Sequence, residues 1–327
     1  MTTCWRLDDG HQTIVLAVIN DHLPQTVYWG PTLPDGEDLP TLADAHLIDL
    51  TGGMMDAIAP ISVCPAVADT FHGHPGMELR IDGAPAYPEF KVVNVVHTPD
   101  DVMGHSIRFE CRDTALNLNL VVGFSFTNLH GSGQVLTAET TLITHTDIDL
   151  FWLAAPVLPA PQLADTVHTF SGKWTKEFQL NDVTWAPGQH MREARLGRSG
   201  HEHPPVAIFP EVGTTNTRGA SYAMHFGWSG GHKMLAEELP DGRRQVQWGK
   251  LPGSLHPTIG SDGRKFYTSG PVHATYHDQG LNGAATTFQR FFRDGLSRPV
   301  KTPRPVHYNC WEAIYFDHDL ADLCAIA

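Results

Sequence analysis

The sequence predicts a mainly β protein: a large β-sandwich followed by a single βα unit. Three observations carry this prediction: abundant turn-forming residues, a long run with two-residue periodicity, and a switch to helical periodicity near residue 280. The chain has 327 residues, of which 41% are hydrophobic and 18% charged, with 30 glycines and 24 prolines. This composition excludes a disordered polyelectrolyte, a coiled coil and a collagen-like fibre.

The clearest strand is predicted from Leu116 to Phe126. Every second residue in this run is apolar, and those between are polar or small except Val121. Period two over eleven residues places one face on a core and the other towards water. Further strands are predicted at 13–19, 26–29, 92–97, 107–111, 135–146, 206–209, 223–228 and 244–248. Asp241-Gly242 predicts a hairpin turn before the last of these.

A helix is predicted next, because apolar residues recur at helical spacing. They are Leu281, Ala285, Phe288, Phe292 and Leu296, and Gly295 marks a weak helix end. Three prolines then indicate a linker over residues 298–305. Residues 306–311 are predicted to form a strand, and Asp317 to cap a helix carrying Leu320. The predicted domains are therefore 1–297, 298–305 and 306–327.

Charge and cysteine content limit the kinds of partner and the cellular compartment that we expect for this protein. With 36 acidic and 22 basic residues the net charge is −14, which disfavours a nucleic-acid partner. No apolar run reaches 18 residues, so no membrane span is expected. The first residues lack a basic segment followed by an apolar one, so no signal peptide is expected. Five cysteines without a short pair spacing favour a reduced, cytoplasmic setting.

Four stretches resemble motifs of glycoside hydrolase family 36, the α-galactosidases, and they occur along this chain in the same order as in the family. Residues 304–317, RPVHYNCWEAIYFD, are similar to the start of that family's catalytic barrel. Residues 278–283, DQGLNG, resemble a helix start of the family. Residues 226–232 and 193–205 resemble two further motifs in the preceding domain. Together with Tyr28-Trp29-Gly30 they cover nearly the whole chain.

This resemblance implies an amino-terminal β-supersandwich and the first βα unit of an incomplete (β/α)8 barrel. It also implies retaining hydrolysis of terminal α-galactosyl groups of oligosaccharides, without a cofactor, and a homo-oligomer built through the sandwich. The family's two catalytic aspartates lie in W-D-x-N-R-like and S-G-G-G-R-x-D-like segments. Neither segment occurs in residues 1–327, so no catalytic residue is assigned and this chain is expected to be inactive alone.

The sequence departs from the family in one loop. The family pattern Y-P-x-Y-G-x-x-D-F-R-x-P has its Asp-Phe-Arg where this chain has Phe71-His72-Gly73. Two alternatives to an α-galactosidase therefore stay open. One is a related α-N-acetylgalactosaminidase or galactosyl transferase. The other is a non-catalytic β-sandwich module for carbohydrate binding or oligomer assembly.

Three residues are candidates for substrate binding: Trp311, Asn309 and His201. Trp311 is expected near the end of the first barrel strand, either as a wall against a pyranose ring or as an aromatic buried between barrel and sandwich. Asn309 is a candidate for sugar contact or for orienting its neighbours. His201, in His201-Glu202-His203, is assigned to a loop near the sugar site. Histidines alternating on a strand resemble metal ligands, but no recognised ligand spacing accompanies them, so no metal is assigned.

Overall fold

The computed structural model describes residues 1–47, 58–100, 104–126, 135–296 and 302–327. Within these ranges the chain is dominated by β-strands. In chain order they are β1 Thr2–Asp8, β2 Gln12–Ile19, β3 Gln25–Pro31, β4 Met77–Ile81, β5 Ala84–Ala86, β6 Lys91–Asp100, β7 Gly104–Asp113, β8 Leu118–Phe126, β9 Leu136–Thr144, β10 Ile148–Leu153, β11 Leu158–Pro159, β12 Thr166–Lys173, β13 Lys176–Thr184, β14 Gly188–Ala194, β15 Val206–Pro210, β16 Ser221–Phe226, β17 His232–Glu238, β18 Arg244–Lys250, β19 Thr258–Ile259, β20 Lys265–Thr268 and β21 Val272–His277.

Helices are few and short. The α-helices are α1 Leu39–Ala45, α2 Gly280–Arg290, α3 Trp311–Ile314 and α4 Leu320–Ile326, and a π-helical segment, Phe291–Leu296, directly follows α2. Two short 3-10 helices cover Val67–Asp69 and Pro252–Ser254. Among the residues that the structure describes, no helix has the length and apolar character needed to cross a bilayer.

The strands form one very large sheet that packs against three smaller ones. The large sheet has eleven strands, with the path β13-β12-β15-β16-β21-β9-β8-β7-β6 and the pair β19-β20 attached through β9. The smaller sheets are β1-β2-β3, β10-β4-β5 and β11-β18-β17-β14. One large hydrophobic core joins them, containing Leu16 of β2, Leu79 of β4, Phe124 of β8 and Trp248 of β18. The predicted β-supersandwich is confirmed.

Strand β8 shows why the sequence pattern was informative. From Leu118 to Phe126 its residues alternate between buried and half-buried without a break. The apolar face lies in the core, where Leu120 is fully buried and Phe124 is 2% exposed. The strand starts two residues later than predicted because Asn117 has φ +54°, a turn conformation that ends the ladder.

The amino-terminal sheet is tied to a distant strand through one buried glutamine. Gln12 is fully buried in β2. Its Oε1 accepts hydrogen bonds from Trp29 Nε1 and from the backbone N–H of Tyr276 in β21, both at 3.0 Å. A buried amide oxygen needs such partners to offset its lost hydration. Gln12 therefore fixes β2 and β3 against the large sheet.

The helix predicted from residue 281 forms as α2, but its apolar stripe is not its buried face. The buried residues of α2 are Gly280, Gly283, Ala284 and Thr287, and Phe291 follows in the π-helical segment. Ala285 is exposed, and Leu296 is 56% exposed. The physical reason is that α2 lies very close to β21: a Cβ at Gly283 would be only 2.4 Å from Nδ1 of His277. The small residues face the sheet, which the apolar stripe did not reveal.

The strand predicted at residues 306–311 was also wrong. Residues 303–310 belong to no strand, and Trp311 already begins α3. A strand requires a neighbour to complete its ladder, and these residues pair with no strand of the described chain.

Helix α4 forms as predicted, but its cap is Asp319 rather than Asp317. The Asp319 carboxylate accepts from the N–H groups of Ala321 and Asp322 at 2.8 and 3.2 Å.

The domain limits 1–297, 298–305 and 306–327 stay a prediction. Residues 298–301 of the proposed linker lie outside the described residues. Residues 302–327 contain no buried residue, and Val306, Phe316 and Leu320 are 100%, 81% and 76% exposed. The apolar surface of this segment is not covered by the sandwich.

A buried histidine predicts that the folded protein loses stability at acidic pH. His273 in β21 is 7% exposed, and its Nδ1 lies 3.0 Å from Thr137 Oγ1. Burial, with a smaller effect of His225, lowers its pKa to about 4. An unfolded histidine titrates near pH 6.5, so between these values the unfolded chain binds more protons and stability falls as pH falls. We expect the His273→Gln variant to lose less stability than the wild type from pH 6.5 to 4, by on the order of 2 kcal/mol.

Urea unfolding at several pH values measures this difference. His256→Gln, at an exposed histidine, is the matched control and should follow the wild type. Parallel stability profiles for the wild type and His273→Gln would contradict the assignment.

Candidate functional site

The three residues predicted to bind substrate do not form one site. Asn309 and Trp311 are adjacent, and Asn309 Oδ1 accepts a hydrogen bond from the Trp311 backbone N–H at 3.0 Å. Trp311 is 49% exposed, and its ring contacts Tyr315 and Phe316 with centroids 5.6 and 5.0 Å apart. These contacts are confined to residues 309–316. The substrate roles of Asn309 and Trp311 stay predictions.

His201 lies on a different part of the molecule, in the exposed loop after β14. The neighbouring carbonyls of Glu202 and His203 hold that loop to the sandwich. Glu202 O accepts from Arg192 at 3.0 Å, and His203 O lies 3.1 Å from His232 Nε2. Within the described ranges, no group of three histidine, cysteine or acidic residues is arranged to hold a metal ion.

The loop that departs from the family motif folds inward. Phe71 is 7% exposed, and a Cβ at Gly73 would lie 2.5 Å from Leu239 and 2.7 Å from Glu237 Oε2. A larger residue at Gly73 would therefore displace the loop. The next residue, His74, donates its backbone N–H to Glu237 Oε2 at 2.8 Å. The loop is thus attached to the four-stranded sheet rather than extended into solvent.

Beneath this loop lies a polar sheet face, defined here as Glu237 of β17 with Gln245 and Gln247 of β18. All three are at least 94% buried. Glu237 also accepts from Gln189 Nε2 at 2.9 Å and from Gln245 Nε2. Gln247 Nε2 donates to His74 O at 2.7 Å and to Gln245 Oε1 at 2.9 Å. Each of these three buried side chains is hydrogen-bonded, as buried polar groups in folded proteins generally are.

This network also positions Trp152 of β10. Its Nε1 donates to Gln247 Oε1 at 2.9 Å. Its ring lies edge-on to His74, with centroids 6.0 Å apart, and the Lys233 ammonium lies 4.0 Å from its centroid. The cation–π contact fixes the lysine beside the network.

A cleft of about 590 Å³ opens next to Lys233, and we call it the Lys233 cleft. Its lining residues come from β4, β10, β14 and the segment after it, β17 and the residue before it, and the segment after β18. They are Glu78, Phe151, Trp152, Glu193, Arg195, Gly197, Gly231, Lys233, Leu251, Pro252, Gly253 and Ser254. Clefts of this size accommodate small organic ligands.

The cleft carries both signs of charge. Glu193 and Arg195 form an ion pair with each other. Burial lowers the pKa of the Lys233 ammonium, and the carboxylates of Glu78 and Glu193 act in the opposite direction. The cleft therefore offers hydrogen-bond donors and acceptors side by side against an aromatic wall. The sequence did not predict Glu78, Trp152 or Lys233 as site residues. Glu193 and Arg195 lie within residues 193–205, one of the stretches that resemble family motifs.

Two family models match the chain in succession. Residues 22–254 match the model described as glycosyl hydrolase family 36 N-terminal domain, and residues 266–327 match the model described as melibiase. An alpha-galactosidase of Escherichia coli is 33% identical over 303 residues, which is 90% of this chain and 40% of that protein. The bifunctional alpha-galactosidase/sucrose kinase AgaSK of Mediterraneibacter gnavus is 32% identical over 166 residues, or 50% of this chain and 18% of that protein.

Solved structures show the same fold. The GH36 alpha-galactosidase AgaA from Geobacillus stearothermophilus superposes with a TM-score of 0.80 at 18% identity, over 96% of this chain and 46% of that one. The alpha-galactosidase from Lactobacillus brevis gives 0.82 at 15% identity, over 99% and 46%. This chain therefore spans less than half the length of these relatives.

The polar sheet face predicts a stability effect. Replacing Gln247 by the similarly sized leucine leaves Trp152 Nε1 and Gln245 Oε1 without their partner in a buried site. His74 O keeps its bond from Gln245 Nε2 at 3.2 Å. Each unsatisfied group costs about 1–3 kcal/mol, so we expect Gln247→Leu to lower the free energy of unfolding by roughly 2–4 kcal/mol. Equilibrium unfolding in urea measures the loss. Gln179→Leu, on the exposed strand β13, is the control and should change stability by less than about 0.5 kcal/mol; similar losses in both variants would refute the role of the network.

Proposed function

The chain belongs to glycosyl hydrolase family 36, and we propose that it is the amino-terminal part of a retaining α-galactosidase-like hydrolase. The observation that carries the proposal is the succession of the two family matches: the sandwich model ends at residue 254 and the melibiase model begins at residue 266. The intact enzyme would cleave terminal α-galactosyl groups from oligosaccharides. Structures of AgaA variants with raffinose and with stachyose support this substrate class.

Retention of configuration requires two carboxyl groups about 5–5.5 Å apart, one acting as nucleophile and one as acid/base. The family segments that would supply them are absent from residues 1–327. We therefore propose that this chain alone does not hydrolyse galactosides.

The location we propose is the cytoplasm. All five cysteines are free thiols, as expected in a reducing compartment. Cell fractionation with an antibody against the sandwich tests this location.

A second candidate role is oligomer assembly, and the β12–β13 hairpin favours it. Strand β13 lies at one end of the large sheet, where an unpaired edge invites association. Trp174, Phe178 and Leu180 of this hairpin are 79%, 67% and 51% exposed. Phe178 and Phe170 are in ring contact, with centroids 6.2 Å apart. We propose that copies of the chain associate through this apolar hairpin surface.

The absence of hydrolysis is directly testable. The purified 327-residue chain, incubated with an aryl α-galactoside, should release no more phenol than a blank. The preparation must come from a host lacking its own α-galactosidase. Clear turnover that co-purifies with the chain through two independent columns would sink the proposal that its catalytic carboxyl groups are missing.

The assembly role is tested by sedimentation velocity. We expect the wild type to form a defined oligomer and the Phe178→Ser, Leu180→Ser double variant to shift towards monomer. Residues 1–302 alone should behave like the wild type, because residues 302–327 bury no residue. Val212→Ser, at another exposed apolar residue (72%), is the control. A monomeric wild type, or an unchanged double variant, would contradict assembly through the hairpin.

A further inference from the structure

We infer that the Lys233 cleft is a binding site for a neutral pyranose ring of an oligosaccharide. The inference rests on the proposed function only for the choice of oligosaccharide. The site itself is argued from the donor, the acceptor and the apolar wall that line the cleft.

The donor is the Lys233 ammonium. Lys233 lies opposite Glu193 in the β14–β17 ladder, yet Glu193 pairs with Arg195 instead. No carboxylate of the described residues lies within ion-pair distance of the lysine. Its Nζ is held by the Trp152 ring at 4.0 Å and by His74 Nε2 at 3.4 Å. An ammonium has three N–H donors, so at least one remains for a ligand oxygen.

The acceptor is the Glu78 carboxylate. Glu78 lies opposite Trp152 in the β4–β10 ladder, so it faces the same end of the cleft as the lysine. It is exposed and forms no hydrogen bond or ion pair with other described residues. An ionised carboxylate accepts hydrogen bonds only. Neighbouring hydroxyls of a sugar satisfy both groups at once, one accepting from Lys233 and one donating to Glu78.

The wall is apolar. Phe151 lines the cleft and is 43% exposed as a whole, with the Arg80 guanidinium 5.4 Å from its ring centroid, and Leu251 and Pro252 line the cleft as well. A pyranose has an apolar C–H surface that packs against such side chains. The volume of about 590 Å³ falls within the 300–1,000 Å³ typical of small-molecule sites.

Charge selects a neutral ligand. A phosphate or carboxylate attracted by Lys233 would meet the like charges of Glu78 and Glu193. A cation attracted by those carboxylates would meet Lys233 and Arg195. A ligand with hydroxyl groups and no net charge avoids both repulsions.

The test titrates raffinose, a galactose-containing trisaccharide, into the 327-residue chain, using saturation-transfer NMR and calorimetry. We expect a dissociation constant on the order of 1 mM. Lys233→Met should weaken binding about tenfold, the loss of one good hydrogen bond. Glu78→Gln keeps an acceptor oxygen but loses the charge that strengthens its hydrogen bond, and should weaken binding about threefold. Lys173→Met, at an exposed lysine of the hairpin, is the matched control and should bind like the wild type. Because Glu78 is exposed, Glu78→Gln remains informative if Lys233→Met fails to fold.

Maltose, which contains only glucose, separates the cleft from the proposed function. If maltose binds as tightly as raffinose with the same sensitivity to both variants, the cleft assignment stands and the galactoside choice fails. If neither sugar binds at about 20 mM, or if binding ignores Glu78→Gln and Lys233→Met, the cleft assignment is overturned. The hydrolytic proposal is judged separately, by its own assay.

Discussion

The buried carboxylate of Glu237 is the constraint on which the face of the sandwich that carries the Lys233 cleft depends. A carboxylate removed from water is costly unless hydrogen bonds replace its hydration. Here the partners are three N–H groups, from Gln189, Gln245 and the backbone of His74. His74 lies 163 residues away in the chain. Satisfying the carboxylate therefore attaches the loop containing His74 to the four-stranded sheet, and the same sheet positions Trp152 and Lys233 beside the cleft.

Much of the sandwich was predictable because sheets impose a local periodicity. The alternation in β8 is visible in the sequence and survives as alternating burial, and Arg244–Lys250 forms a strand after the Asp241-Gly242 turn as expected. Periodicity was uninformative where a non-local partner decides. A strand at 306–311 needed a neighbour to pair with, and the buried side of α2 depends on how closely Gly283 approaches His277.

The cleft was harder to predict than the fold because its parts are spread over the chain. Glu78, Trp152 and Lys233 belong to three strands, and single-residue spacing does not bring them together. The motifs that carry the resemblance include Trp311 and Asn309. Within the described part of the chain these two residues are joined by a hydrogen bond, and the Trp311 ring contacts Tyr315 and Phe316. The family motif located one departure that the structure accounts for: where the family has an Asp-Phe-Arg, this chain has Phe71 packed with Leu239 and Gly73 close to Leu239 and Glu237.

The hydrogen bond from Tyr276 to Gln12 has a consequence for biosynthesis. The two residues are 264 positions apart, and ribosomes add about 5–20 residues per second. The nascent β2 strand, with its uninterrupted apolar run, therefore waits roughly 13–53 s for its partner to emerge. During that interval the apolar surface of β2 is exposed, so it can bind ribosome-associated chaperones or aggregate. The rate of translation and the supply of chaperones therefore affect the yield of native protein in a cell.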